Sequence, residues 1–177
     1  MAQFAGGDPS FHFIKSTTHL YNKMQPCFLQ DDRNEGILPL LVVTLERGGV
    51  THRFGVTHFT WTPDGGASDE QREDMGRMLA ALAIYHDRDG IVFCGDFNAP
   101  RGGEIFAMMS DQYADHLPSH IMTTLDPELH RAPLHHRNAR AVDSIFSTKE
   151  YAIGGVEVVG GVSDHMALFA KVSKSVC

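Results

Sequence analysis

Three short polar clusters close apolar runs in this chain: Thr57-His58-Phe59, Gly95-Asp96-Phe97-Asn98 and Ser163-Asp164-His165. A fourth, Ala141-Val142-Asp143, opens one. Asp, Asn and His at strand ends can converge on one side of a sheet without being buried in its core. In extended chain Asp96 and Asn98 point the same way and Phe97 the other way, into packing. Gly95 lets the backbone turn sharply as it leaves the run. A carboxylate beside an amide suits a hard cation or a phosphoryl oxygen; the same pair also suits an ordinary strand-end turn. Ser163, Asp164 and His165 cannot form a serine triad among themselves, because adjacent side chains diverge. Asp164 and His165 can still border one pocket if the backbone turns, as Gly160-Gly161 permits; a plain polar turn is the alternative.

Residues 130–140 hold three Arg, three His and no acid. Arg131, Arg137 and Arg140 would make a substrate-phosphate clamp, since guanidinium groups bind phosphate in bidentate fashion and the tract ends just before Asp143. A solvated loop is the bland reading. A histidine metal site from His130, His135 and His136 is the third.

The elements that must position these groups are legible from residue 37 onward. Residues 37–46 form an apolar, β-rich run, Arg47-Gly48-Gly49 reads as a hairpin turn, and 51–59 form the returning strand. After a loop at 62–66, Ser68 with Gln71 three residues on predicts a capping box. Asp69 and Glu70 suit the positive end of the helix dipole. Met75, Met78, Leu79 and Leu82 recur at helical spacing and read as core, and the helix should end between Tyr85 and Asp89. Ile91-Val92-Phe93-Cys94 is a short strand buried on both faces, ending at Gly95, with Cys94 as a small buried hydrophobe. A short helix is expected over 104–109 and irregular chain over 111–140. Strands are expected over 142–146, 156–159 and 167–172. A short strand at 11–14 is the one element read before residue 35. Hairpins together with a strand–helix–strand unit point to a mixed sheet with helical cover.

The chain is 177 residues long, 42% hydrophobic and 21% charged, an ordinary composition for one globular domain. A net charge of -7 excludes a general nucleic-acid coat protein, though not a nuclease with a local basic patch. Cys27, Cys94 and Cys177 are spaced for neither a disulfide framework nor a zinc ribbon, which fits a reducing compartment. No run approaches the roughly 18 apolar residues of a membrane span. The first ten residues lack the layout of a secretory signal, so the expected location is cytoplasmic.

Taken in order, the clusters resemble the later motifs of the endonuclease/exonuclease/phosphatase superfamily, the DNase I-like proteins. Thr57-His58-Phe59 stands where that family has Thr-His-Leu, followed by a helix with Gln71 and Arg72. Gly95 to Asn98 matches its Gly-Asp-Phe-Asn, Val142-Asp143-Ser144-Ile145-Phe146 its Asp before an aliphatic-aromatic pair, and Ser163-Asp164-His165 its Ser-Asp-His. The match covers about residues 35–172. The resemblance implies an α+β fold, a mixed β-sheet sandwich with helical cover in four αββα layers. It also implies metal-dependent hydrolysis of phosphate esters with Mg²⁺ or Mn²⁺. His165 would be general base or phosphate partner, and Asp143 would fix its tautomer. Asp96 would position or deprotonate the water, Asn98 would hold a phosphoryl oxygen, and His58 would donate to the phosphate. Asp164 would hold the metal, with Asp96 and Asn98 beside it.

The family's first half, with its strand Asn and the Glu of a Gln-Glu pair that is its main metal ligand, has no counterpart before Thr57. Asn34-Glu35-Gly36 resembles a segment after that Glu, so Glu35 is a poor substitute for it. The N-terminal half is thus expected to be shortened or missing, leaving sheet surface for a homodimer or a completing chain. A nuclease-type phosphodiester, nucleic acid included, is the expected substrate. A phosphomonoesterase, a phospholipid phosphatase and a truncated non-catalytic member that binds phosphate or a partner are the rivals.

Overall fold

Two hydrophobic faces organise the chain around one sheet. The computed structural model describes residues 12–20, 39–86, 90–131 and 140–175, with residues 12–20 considered for their backbone pairing. Glu35, His135, His136, Arg137, Cys27 and Cys177 lie outside the described residues.

The sheet starts with β1 (His12–Leu20), β2 (Pro39–Arg47) and β3 (Val50–His58), all antiparallel. β1 runs well past the 11–14 expected for it. Gly48 and Gly49 close the β2–β3 hairpin with φ of 58° and 76°, the paired positive values that such a tight turn requires. The chain then crosses through α1 (Asp69–Ala83) to β4 (Val92–Asp96), which lies parallel to β3. Next come α2 (Glu104–Ser110), a two-residue β5 (Ala114–Asp115) and β6 (Asp143–Ser147), giving the sheet order β1-β2-β3-β4-β6-β5. β7 (Tyr151–Val159) and β8 (Ala167–Lys174) form a separate antiparallel ribbon.

Side-chain alternation along β4 and β6 explains the layering. Phe93 and Phe146 face the helices, where they join Met75, Met78, Leu79 and Leu82 of α1 with Ile105, Phe106 and Met109 of α2. Val92, Cys94 and Ile145 face the other way and meet Tyr151, Ile153, Leu168 and Ala170 of the ribbon. The continuous apolar run of β4 is therefore buried on both faces, and its methionine-bearing helix is core. Cys94 is only partly buried and points to the ribbon side. The result is a mixed sheet covered by two helices on one face and a smaller sheet on the other, and the outer side of the ribbon stays open at Val159 and Phe169.

One expectation is corrected at the start of α1. Ser68 caps the helix as read, accepting the Gln71 N–H at 3.1 Å. The reciprocal arm of a capping box is absent, because the Gln71 side chain is buried and donates to Thr60 O at 2.6 Å instead. Asp74 accepts the Thr60 hydroxyl at 2.6 Å. A buried carbonyl without a partner costs more than an exposed cap gains, so the loop after β3 takes the glutamine. Arg72 reaches across to Glu104 at 2.6 Å and joins the two helices.

Candidate active site

β3, β4 and β6 bring their polar ends to one rung of the sheet. His58 pairs with Asp96 across the parallel ladder, and Asp96 pairs with Asp143 across the antiparallel one. Directly opposed residues on neighbouring strands project from the same face, so three clusters far apart in sequence become neighbours. The next residues, Phe59 and Phe97, are fully buried on the helix side. Their N–H groups extend the ladder to Asp96 O and Val142 O at 2.8 and 2.9 Å. Gly95 is required here: its φ is 149°, and a Cβ would sit 1.9 Å from Thr57 O.

Asn98 departs from the extended geometry expected for it. Its φ of 47° places it in the left-handed region, which Asn tolerates better than most residues. The turn brings its backbone N–H 2.7 Å from Asp96 Oδ1. Its side-chain Nδ2 donates to Phe59 O at 2.7 Å. Among the described residues the second amide hydrogen and Oδ1 have no protein partner.

His165 arrives from the turn before β8. Leu125 and His165 make an isolated antiparallel bridge, and Met166 N donates to Thr124 O at 2.7 Å. The imidazole Nδ1 then lies 2.9 Å from Asp143 Oδ2, with Nε2 3.8 Å from Asp96 Oδ2. His58 Nε2 lies 3.5 Å from the same Asp96 oxygen. Asp96 and Asp143 are 17% and 15% exposed, and His165 is 30% exposed. The Asp143 hydrogen bond lifts the His165 pKa to about 9, against the opposing effect of burial. Its interaction with Asp96 raises that of His58 as well.

Thr124, in the segment Thr123-Thr124-Leu125-Asp126 to which the sequence assigns no role, organises this corner. It is fully buried. Its hydroxyl donates to Asp143 Oδ2 at 2.6 Å and accepts the N–H groups of Val142 and Asp143, both at 3.0 Å. Asp126, two residues on, accepts Gly161 N at 2.6 Å and Asp164 O accepts the Asp126 N–H at 2.9 Å, which ties this segment to the turn bearing His165. The backbone N–H groups of Gly161 first, then of Glu128 and Leu129, hold the Asp126 carboxyl below its usual range. A buried Thr among polar neighbours has no periodic signature, so only the folded chain reveals it.

The other expected site residues divide. Asp164 is exposed on the same turn as His165. Arg140 lines the pocket and donates to Asp64 O at 2.8 Å. Arg131 is exposed at the surface. His58, Asp96, Asn98, His165, Arg140 and Trp61 share a cavity of about 520 Å³. Ligand atoms of Asp96, Asp143 and His165 lie within 4.8 Å of one another. No described helix is long and apolar enough to cross a membrane.

No protein-family model matches the chain, and no curated protein does. Solved structures do match in fold. An endonuclease/exonuclease/phosphatase protein from Bacteroides vulgatus aligns with a TM-score of 0.70 at 14% identity, over 93% of this chain and 67% of its own. The mannosyl-6-phosphatase Bt3783 of Bacteroides thetaiotaomicron aligns with a TM-score of 0.63 at 10% identity, over 92% and 67%. TDP2 of D. rerio, complexed with a single-strand DNA product, aligns with a TM-score of 0.63 at 14% identity, over 93% and 69%. This chain thus has the mixed α+β fold of the endonuclease/exonuclease/phosphatase proteins, and it spans about two thirds of each of these neighbours.

Proposed function

We propose that this chain, with the fold of the endonuclease/exonuclease/phosphatase proteins as its frame, hydrolyses phosphate esters, a nuclease-type phosphodiester first among them. The observation that carries the reading is one rung of sheet that gathers His58, Asp96 and Asp143, with His165 held against Asp143 at 2.9 Å. Phosphoryl transfer needs little covalent chemistry from a protein. It needs positioning and preformed charge, and this site offers both.

The Asp143 carboxylate fixes His165 with Nδ1 toward itself and Nε2 toward the cavity. With a pKa of about 9, His165 is an imidazolium at neutral pH. That favours its role as a donor to a phosphoryl oxygen or leaving group over that of general base. Asp96, between two imidazoles, positions the attacking water and takes its proton. Asn98 and His58 donate to the remaining phosphoryl oxygens.

The fold family implies a divalent cation, and the donor set fits a hard one such as Mg²⁺ or Mn²⁺, which needs only one or two carboxylates. Asp143 and His165 are engaged with each other, and an imidazolium repels a cation. Asp96, with the Asn98 amide oxygen and the exposed Asp164, would therefore hold it. The ion would neutralise charge on the phosphoryl oxygens.

The test is hydrolysis of single- and double-stranded DNA, RNA and phosphomonoesters in millimolar Mg²⁺ or Mn²⁺. Cleavage should collapse at least about a hundred-fold in Asp96→Ala and His165→Ala. A panel in which nothing is cleaved overturns the reading. The phosphomonoesterase alternative draws on the net charge of -7, which disfavours long polyanions; turnover of monoesters alone would select it. A second copy of the chain is the proposed cover for the open ribbon face at Val159 and Phe169. Sedimentation showing a monomer at every concentration would remove it.

A further inference from the structure

Trp61 is the single tryptophan of the chain. It is 61% exposed, and it lines the same cavity as His58, Asp96, Asn98 and His165. A large aromatic left in water at the mouth of a polar site is conspicuous, because its ring is among the most costly surfaces to leave solvated.

The chain on both sides of it is fixed. Thr60 is held on both its carbonyl and its hydroxyl by buried groups of α1, Gln71 at 2.6 Å and Asp74 at 2.6 Å. Thr62 Oγ1 donates to Gly66 O at 2.9 Å, Gly65 N to Thr62 O at 3.2 Å and Gly66 N to Asp64 Oδ1 at 2.9 Å. Arg140 clasps the loop from outside through Asp64 O at 2.8 Å, with its guanidinium so close to Gly65 that a Cβ there would lie 1.6 Å from Nη1. Trp61 is thus an exposed ring on a preorganised support, so a ligand that covers it pays little ordering entropy.

We propose that Trp61 is a stacking platform for the base of a nucleotide whose phosphate lies among His58, Asp96, Asn98 and His165. This deepens the phosphoesterase reading and rests on it. The cavity of about 520 Å³ is in the size range of small-molecule sites, roughly 300–1,000 Å³, and far exceeds what a phosphate group fills. Every base presents a π-face to such a ring, so the platform selects a nucleotide without selecting its sequence. An acyl chain would need an apolar tunnel, whereas this cavity also carries Arg140 and His130.

The single tryptophan makes the test direct. Adenosine 5′-monophosphate and ribose 5-phosphate, which differ by the base alone, are titrated into the metal-free chain in EDTA while Trp61 emission is followed. Adenosine 5′-monophosphate should quench saturably and bind at least roughly ten-fold tighter than ribose 5-phosphate. By calorimetry, Trp61→Phe should keep most of that preference and Trp61→Ala should lose it. With hydrolysis as readout, the kcat/KM ratio between the two esters should fall in Trp61→Ala. Equal affinities, no quenching, or mannose 6-phosphate binding tighter than the nucleotide would overturn the proposal. Hydrolysis without a base preference removes the platform and leaves the phosphoesterase. A base preference without hydrolysis does the reverse.

Discussion

The pairing of Asp143 with His165 sets the proton inventory of the site. Because the folded pKa, about 9, is raised above the ordinary 6.5, the pair contributes stability in full below the unfolded value and loses it as pH rises through about 9. In metal-free protein the His165 ring should therefore titrate near 9 by NMR, and Asp143→Asn should carry the midpoint down toward 6.5. The alkaline limb of kcat/KM should move the same way if His165 acts as the proposed imidazolium donor; a limb that stays in place in Asp143→Asn would contradict that role. Thr124 is a second residue-scale test. Thr124→Val leaves two backbone N–H groups and a carboxylate oxygen short of a partner. It should cost about 1–3 kcal/mol in urea unfolding, whereas Thr124→Ser should recover most of the loss.

Among the elements, β4 carries the greatest demand. It supplies Phe93 to one face, Val92 and Cys94 to the other, and Asp96 at its end. Its apolar run and the helical spacing of α1 could be read without coordinates because burial imposes a period on the residues. The rung that joins His58, Asp96 and Asp143 could not, since register is a property of pairs of strands. Nor could the left-handed Asn98, the diversion of Gln71 to Thr60 or the hub at Thr124, each settled by contacts with distant chain. The polar clusters were legible as chemical types, and of their pairings the resemblance implied only that of Asp143 with His165. Gly95→Ala should unfold the chain or lower its stability by several kcal/mol, because a methyl group meets Thr57 O in backbone that cannot yield. Phe97→Ala, which empties a ring packed 5.2 Å from Phe146, should cost about 3–5 kcal/mol. Thermal or chemical unfolding measures both.

For the whole molecule, layering decides what the site can borrow. Strands β4 and β6 are covered on both faces, and the ribbon only on its inner one. A ligand that binds the folded chain adds stability by mass action, about 2.7 kcal/mol at a hundred times its Kd. Mg²⁺ should thus raise the melting temperature of the chain, EDTA should reverse the rise, and Asp96→Ala should abolish it. A melting curve indifferent to Mg²⁺ and EDTA would mean that the described site does not hold the ion.

The shared rung also bears on time. The β2–β3 hairpin closes through two glycines and needs no distant partner. The contact between Phe59 and Asn98 joins positions 39 apart, and that between Asp143 and His165 joins positions 22 apart. Loop closure must be met before such pairings reward it. The hairpin and α1 can form while the chemistry is still scattered. In refolding, helical circular dichroism should return first, and the affinity for a phosphate ligand last, as β6 and the His165 turn dock. A chain newly made would spend its earliest moments folded in part and inert.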